Sequence, residues 1–258
     1  MALPRLNKHL QYTMQIPSTG QEIKYRPYLV GEEKHLLLAL EQQDKAVVLN
    51  AIADTLRSCI SDDTPVDVTS LPIFDIEYMF TQVRSKSVGE TSTVNLKCSH
   101  VHDDETPCDH LNEVNVDLSK IKVILPKGRN NDTIILQKKT RSEPRVALQM
   151  RYPSFEDAAT GLAKYGEEDS KIEMMYDQIL LCIEAVIYGE GDDEERFDLK
   201  DESKEEKIGF LSDLTGTQMG LIQDWVRAIP TLEHKVEFVC QACGTKNEMV
   251  LKGTSDFF

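Results

Sequence analysis

The chain has 258 residues, 40% of them hydrophobic, and a formal net charge of −15. That composition supplies a core and excludes global disorder. The acidic balance argues against a general nucleic-acid binder, which shows phosphate a basic face, and against attraction to an anionic membrane. No apolar run has bilayer length, and the first residues lack a charged segment leading into an apolar one. The expectation is a cytoplasmic chain, whose six cysteines read as metal ligands and core residues rather than disulfides.

Residues 10–28 read as a hairpin, with Tyr12, Met14 and Ile16 alternating, turn residues at Pro17–Gly20, and Ile23 and Tyr25 alternating on the way out. From Glu32, Leu36, Leu37, Leu40, Val47, Val48, Ala51, Ile52, Leu56 and Ile60 recur at helical spacing, with a break at Gln43 and Asp44. Cys59 falls on that core face. Asp75–Ser87 is the next helix, with Ile76, Met79, Phe80 and Val83 on its buried side and Gly89 as its stop.

Residues 92–118 read as a cysteine-bearing knuckle. Lys122–Leu125, Thr133–Leu136 and Val146–Tyr152 are short strands, expected as a meander attached to it. Helices follow over 154–164 and Ile172–Tyr188, the second burying Cys182. The acidic run 189–206 reads as a solvated loop. Capping boxes at Ser203–Glu206 and Thr215–Gln218 start two further helices, the second packed through Trp225 with Leu221, Ile222 and Ile229 and ended by Pro230.

The expected fold class is α+β: a mainly helical body, an N-terminal β-hairpin, and a β-rich, zinc-ribbon-like subdomain made by two sequence-distant knuckles. The expected segments are 1–91 (hairpin and helices), 92–152 (first knuckle and meander), 153–235 (helical, with the acidic loop) and 236–258 (second knuckle). The last forms one compact unit with 92–120.

The chemistry sits in the knuckles. Cys240 and Cys243, followed by Gly244, form a CxxCG turn whose thiolates point the same way. Such a turn supplies two ligands, and a closed structural zinc site needs four. Cys98 and Cys108 offer the others. Cys108 is followed four residues later by Asn112-Glu113, and Cys243 four residues later by Asn247-Glu248, each within alternating apolar strands. That is a short internal repeat. The first copy is wider: nine residues separate its cysteines, against two in the second.

The expected cofactor is one structural zinc on Cys98, Cys108, Cys240 and Cys243, with His100, His102 and His110 as alternate ligands. The alternative is a decayed site whose knuckles hold by hydrogen bonds and packing. Signatures for phosphate loops, dinucleotide binding, nucleophile elbows and zinc proteases are absent from the sequence. A metal hydrolase at His100, His102 and His110 lacks a nucleophile–base arrangement to support it. A zinc-ribbon nucleic-acid or regulatory module lacks a basic aromatic strand face.

Leu3–Asn7, Ile16–Gly20, Ile23–Val30, Glu32–Lys34, Phe74–Tyr78, Arg84–Glu90, Tyr152–Ser154, the knuckle at Cys240 and the ending Gly253–Phe258, taken in order, resemble the baseplate proteins of T-even-type contractile-tailed phages. Members are described as baseplate hub subunits or hub assembly factors. The resemblance implies a non-enzymatic protein of tail morphogenesis, with phage hub or tail proteins as partners. It implies no small-molecule substrate, membrane or nucleic acid. The expected location is the host bacterial cytoplasm during assembly and, if the protein is retained, the virion tail baseplate. Candidate partner contacts are the apolar tip at Phe257 and Phe258 and the helix carrying Phe74 and Tyr78.

Overall fold

The computed structural model describes residues 10–42, 44–102, 105–125, 132–164 and 170–253. In chain order the elements are β1 (Tyr12–Gln15), β2 (Glu22–Tyr25), α1 (Val30–Glu41), α2 (Lys45–Cys59), α3 (Ile73–Ser87), β3 (Thr91–Lys97), β4 (Leu111–Asp117) and β5 (Lys122–Val123). There follow β6 (Thr133–Gln137), β7 (Val146–Met150), α4 (Phe155–Lys164), α5 (Lys171–Leu181), β8 (Ile183–Tyr188), β9 (Glu195–Asp198), α6 (Lys204–Ser212), α7 (Gly216–Arg227), β10 (Leu232–Val239) and β11 (Lys246–Lys252). The described residues thus form a mixed α/β fold of seven helices and four small antiparallel sheets. Among them no helix is long and apolar enough to cross a membrane. The chain divides into two compact units, one of Met1–Leu125 with Pro230–Phe258 and one of Pro126–Ile229.

In the first unit, β1 and β2 pair with Met14 opposite Ile23, and Gly20 turns the chain at φ +69°. The β2 strand is tied to the end of α2 by bonds from Arg26 N–H to Cys59 O and from Ser61 N–H to Lys24 O, each 2.9 Å. Asp44 accepts from the N–H groups of Ala46 and Val47 and so starts α2, which is why the apolar periodicity breaks there. Leu37 and Leu40, expected in the core, are exposed instead, together with Leu38 and Val30. The buried stripe of α1 is narrow, Leu36 and Ala39. Helical spacing alone does not say which of several adjacent leucines faces in.

The helix α3 runs through the middle of this unit and buries Phe74, Asp75, Ile76, Met79, Phe80, Thr81, Val83 and Ser85. Asp75 is a carboxylate with no exposed surface. It accepts the Ser18 N–H at 3.0 Å and the Ser18 hydroxyl, pinning the β1–β2 turn to the start of α3. Burial raises its pKa, opposed by the two bonds from Ser18. A carboxyl with a raised folded-state pKa favours folding most when protonated, and that contribution is lost as pH rises through its folded pKa. Asp75→Asn keeps one acceptor for Ser18 and is expected to flatten this pH dependence, seen in urea midpoints followed upward from below the ordinary carboxylate pKa of about 3.9 to neutrality. Asp75→Ala leaves the Ser18 N–H unmatched and is expected to cost about 1–3 kcal/mol.

Two hairpins complete the first unit. β3 and β4 pair with Val94 opposite Val114, and β10 and β11 pair with Val236 opposite Met249. The β10 strand also takes β5 along its other edge at Leu232 and Val123. Val94, Leu96, Val116, Leu118 and Ile121 share one core with Leu232, Val236 and Leu251. Three of these eight residues thus lie more than a hundred positions downstream of the rest.

In the second unit the sheet order is β6-β7-β8-β9. Leu148, Met150, Ile179, Cys182, Ile183, Leu199, Leu211, Ile222 and Trp225 make its core. Three expectations are corrected here. The helix expected to reach Tyr188 stops at Leu181, and Ile183–Tyr188 is a strand held between β7 and β9. That hexapeptide is rich in β-branched and aromatic residues, and its apolar run is too short for periodicity to separate strand from helix. The strands β6 and β7, expected beside the first knuckle, pair instead into this sheet. Alternation specifies a strand but not its neighbour. The acidic run expected as a loop carries the edge strand β9, where Arg196 pairs with Glu184 and Asp198 at 2.7 Å each. The helices α6 and α7 begin at the capping boxes of Ser203 and Thr215.

Candidate metal centre

The inward phase of each hairpin runs into a cysteine. In β3, Ser92, Val94 and Leu96 are buried, and Cys98 follows two residues on. In β10, Leu232 and Val236 are buried, with Cys240 in the same phase. Each first cysteine closes its turn by a backbone bond of 2.9 Å, from Cys98 N–H to His110 O and from Cys240 N–H to Thr245 O. The second knuckle is tightened by Gly244 N–H to Cys240 O at 2.9 Å.

The wider first knuckle reaches the same geometry by folding its insertion into a subsidiary turn. Val101 bridges Pro107, His102 N–H bonds Thr106 O, and Cys108 N–H bonds His100 O, the latter two at 2.9 Å. The described residues on the two sides of the insertion thus pair with each other, and Cys108 occupies the place that Cys243 takes in the tight turn. The residue after the second cysteine is left-handed in both copies, Asp109 at φ 52° and Gly244 at φ 72°. Nothing lies within 4 Å of a Cβ placed on Gly244. Gly244→Ala is therefore expected to cost only backbone strain, about 1–2 kcal/mol by urea unfolding, with metal content unchanged.

The four cysteine sulfurs lie within 4.8 Å of one another. The cross-hairpin pairs are Cys98–Cys243 at 3.7 Å and Cys108–Cys240 at 3.8 Å. A tetrahedron of thiolates around zinc, with arms of about 2.3 Å, has edges of about 3.8 Å. A disulfide would need a separation of about 2.05 Å, and all four are free cysteines. Cys98 and Cys240 are buried, and Cys108 and Cys243 half-buried. Among the described residues this is the group of His, Cys, Asp or Glu side chains that converges as metal ligands.

The electrostatics suit a cation. The N–H of Cys243 leads the groups that hold the Cys240 thiol down at about 6, against the opposing effect of burial and with help from Ala242 N–H and Asn112. Bonds from Thr245 lower Cys243 as well. At Cys108 the His110 N–H favours thiolate, but burial and the three neighbouring sulfurs outweigh it and push the thiol up to about 12. Four thiolates this close repel one another, and a central dication removes that conflict.

The other expected site residues are placed differently. The imidazoles of His100 and His102 lie edge to face, 5.0 Å between centroids, outside the sulfur cluster. His100 contributes its backbone carbonyl to the knuckle, and His110 its carbonyl to Cys98 N–H and its N–H to the Cys108 thiol. Phe74 is buried, and Tyr78 packs half-buried against the hairpin core. Phe257 and Phe258 lie outside the described residues. What the sequence reading passed over is Asn112 and Asn247. The repeat marked them, but only the structure shows both buried beside the sulfurs. A polar residue on the inward phase of an apolar strand, at a fixed offset from a cysteine, was the available signal.

A family model described as T4 bacteriophage base plate protein matches residues 9–258, nearly the whole chain. No curated protein and no solved structure matches.

Proposed function

The chain belongs to the T4 bacteriophage base plate protein family, and we propose that it acts in assembly of the baseplate hub, as an assembly chaperone or a hub subunit. It works by binding other phage tail or baseplate proteins, without catalysis of its own. The observation that carries this reading is a family match over nearly the full length.

The cation assigned to the cluster is zinc, which takes four thiolates in tetrahedral geometry. With Cys98, Cys108, Cys240 and Cys243 all as ligands, no coordination position is left for a substrate, so the metal is structural. It staples the end of the chain to its middle and fixes the surfaces that partners meet.

A candidate partner surface is α1, where Val30, Leu37, Leu38 and Leu40 are exposed along a short helix. A helix that is apolar on most sides is ordinarily covered. The occupant assigned to it is another phage tail or baseplate protein. Leu37→Ser combined with Leu40→Ser is expected to change stability by no more than about 0.5 kcal/mol per site, because both are exposed. The same variant is expected to fail to restore particle formation to a phage lacking the protein.

Quantitative mass spectrometry of purified particles separates the two modes. Stoichiometric retention makes the protein a subunit. Absence from particles, together with missing hubs when the gene is deleted, makes it a chaperone. Normal hubs in the deletion would sink the proposal.

A further inference from the structure

Each hairpin carries a buried asparagine that serves the opposite hairpin. Asn112, on β4, accepts the N–H of Gln241 on its Oδ1 at 2.9 Å. Its Nδ2 donates to His110 O at 3.1 Å and faces Cys240 Sγ at 3.7 Å. Asn247, on β11, repeats the arrangement in reverse. Its Oδ1 accepts the N–H of Ser99 at 2.9 Å and the Ser99 hydroxyl at 3.0 Å. Its Nδ2 donates to Thr245 O at 3.0 Å and faces Cys98 Sγ at 3.4 Å. Both side chains are almost fully enclosed, with 2% and 4% of their surface exposed.

We propose that Asn112 and Asn247 are crossed positioning residues of the metal centre, each orienting the first cysteine of the hairpin to which it does not belong. The inference rests on the metal-binding reading given above. Its chemistry needs an amide and no other group. The carbonyl end holds the backbone just after the opposite cysteine, and the amino end offers a proton to that cysteine's sulfur. Donors to sulfur draw charge from a crowded thiolate set, and partners of this kind fix ligand orientation. The crossing has a further consequence. Neither knuckle supplies its own side-chain amide donor, so each gains its full ligand geometry only when the other hairpin is docked. Metal binding and docking of the last hairpin onto the middle of the chain are therefore one event.

Aspartate tests this cleanly, because it keeps the oxygen that holds the backbone and removes the donor to sulfur. Full-length protein loaded with cadmium-113 is expected to show proton–cadmium scalar coupling at the side-chain amides of both Asn112 and Asn247. Asn112→Asp and Asn247→Asp are each expected to weaken metal binding by about 10–100-fold in chelator competition. Each is also expected to move the sulfur-to-metal charge-transfer band of the cobalt form to lower energy. A role confined to packing would show no such coupling and would leave the band position unchanged. If the wild type holds one cadmium but neither amide couples and both variants keep full affinity, the inference fails while the metal site stands. If the wild type binds no metal, both fail. Should one variant not fold, the wild-type cadmium spectrum and the other variant decide the matter.

Discussion

Removing the cation with a strong chelator is expected to strip hydrogen-exchange protection from β3, β4, β10 and β11 together, and Cys243→Ser is expected to do the same without a chelator. The two hairpins are each only two main strands, a size marginal in water on its own. They share one core, built from Val94, Leu96, Val116, Leu118 and Ile121 on one side and Leu232, Val236 and Leu251 on the other. Closing that core requires a chain segment of more than a hundred residues to return. Structural zinc contributes roughly 10–16 kcal/mol of apparent binding free energy in small zinc peptides at neutral pH. Whole domains are stable by about 5–15 kcal/mol, so loss of even part of the metal term decides whether the hairpins stay docked. The measurement is exchange mass spectrometry with and without chelator, alongside elemental analysis expected to give one zinc per chain. Cys59→Ala is the control. Cys59 is buried in the same unit with its thiol pushed up to about 12, chiefly by burial, and lies outside the sulfur cluster. Its loss should cost stability and leave zinc content intact. Hairpins that keep their protection after the metal is gone would show that packing and the asparagine bonds suffice.

The features legible in the sequence are those set by short-range chemistry. Asp44 breaks the long helical pattern because it caps α2. Ser203 and Thr215 start helices because the matching Glu206 and Gln218 sit three residues on. The pairing of Cys98 and Cys108 with Cys240 and Cys243 was readable because two copies of one hairpin carry the same offset to an Asn-Glu pair. What escaped depends on long-range choices. Nothing local tells β6 and β7 to pair with β8 rather than with the first knuckle. Ile183–Tyr188 satisfies a helical stripe and a strand equally well, and only its neighbours β7 and β9 decide. The leucines of α1 read as core because apolar residues usually are, yet Leu37 and Leu40 face outward. At the sulfur cluster, the ligands were visible by type and spacing. The crossed amides were not, because their bonds run to residues about 130 to 150 positions away.

Trp225→Ala is expected to be the most damaging single substitution in the second unit, at about 3–5 kcal/mol. Trp225 is 9% exposed and lies on α7 with Ile222, which is fully buried, in a core that includes Leu148, Met150 and Ile183 of the sheet. Its ring meets Tyr152 with centroids 5.5 Å apart and planes tilted by 31°, an offset contact that adds to the area it buries. Truncation removes the indole, strands the Tyr152 face and leaves a cavity that the sheet side cannot fill without moving strands paired on both edges. Urea unfolding followed by circular dichroism should show a lower midpoint with an unchanged slope if only stability is altered. Leu221→Ala is the internal comparison. Leu221 is the neighbour expected from helical spacing to share this face, but it is 44% exposed, so its truncation should cost no more than about 0.5 kcal/mol. Equal losses at the two positions would mean that the buried face of α7 has been assigned to the wrong side. Zinc content should stay at one per chain in both variants, because all four sulfurs lie in the segments before Leu125 and after Pro230.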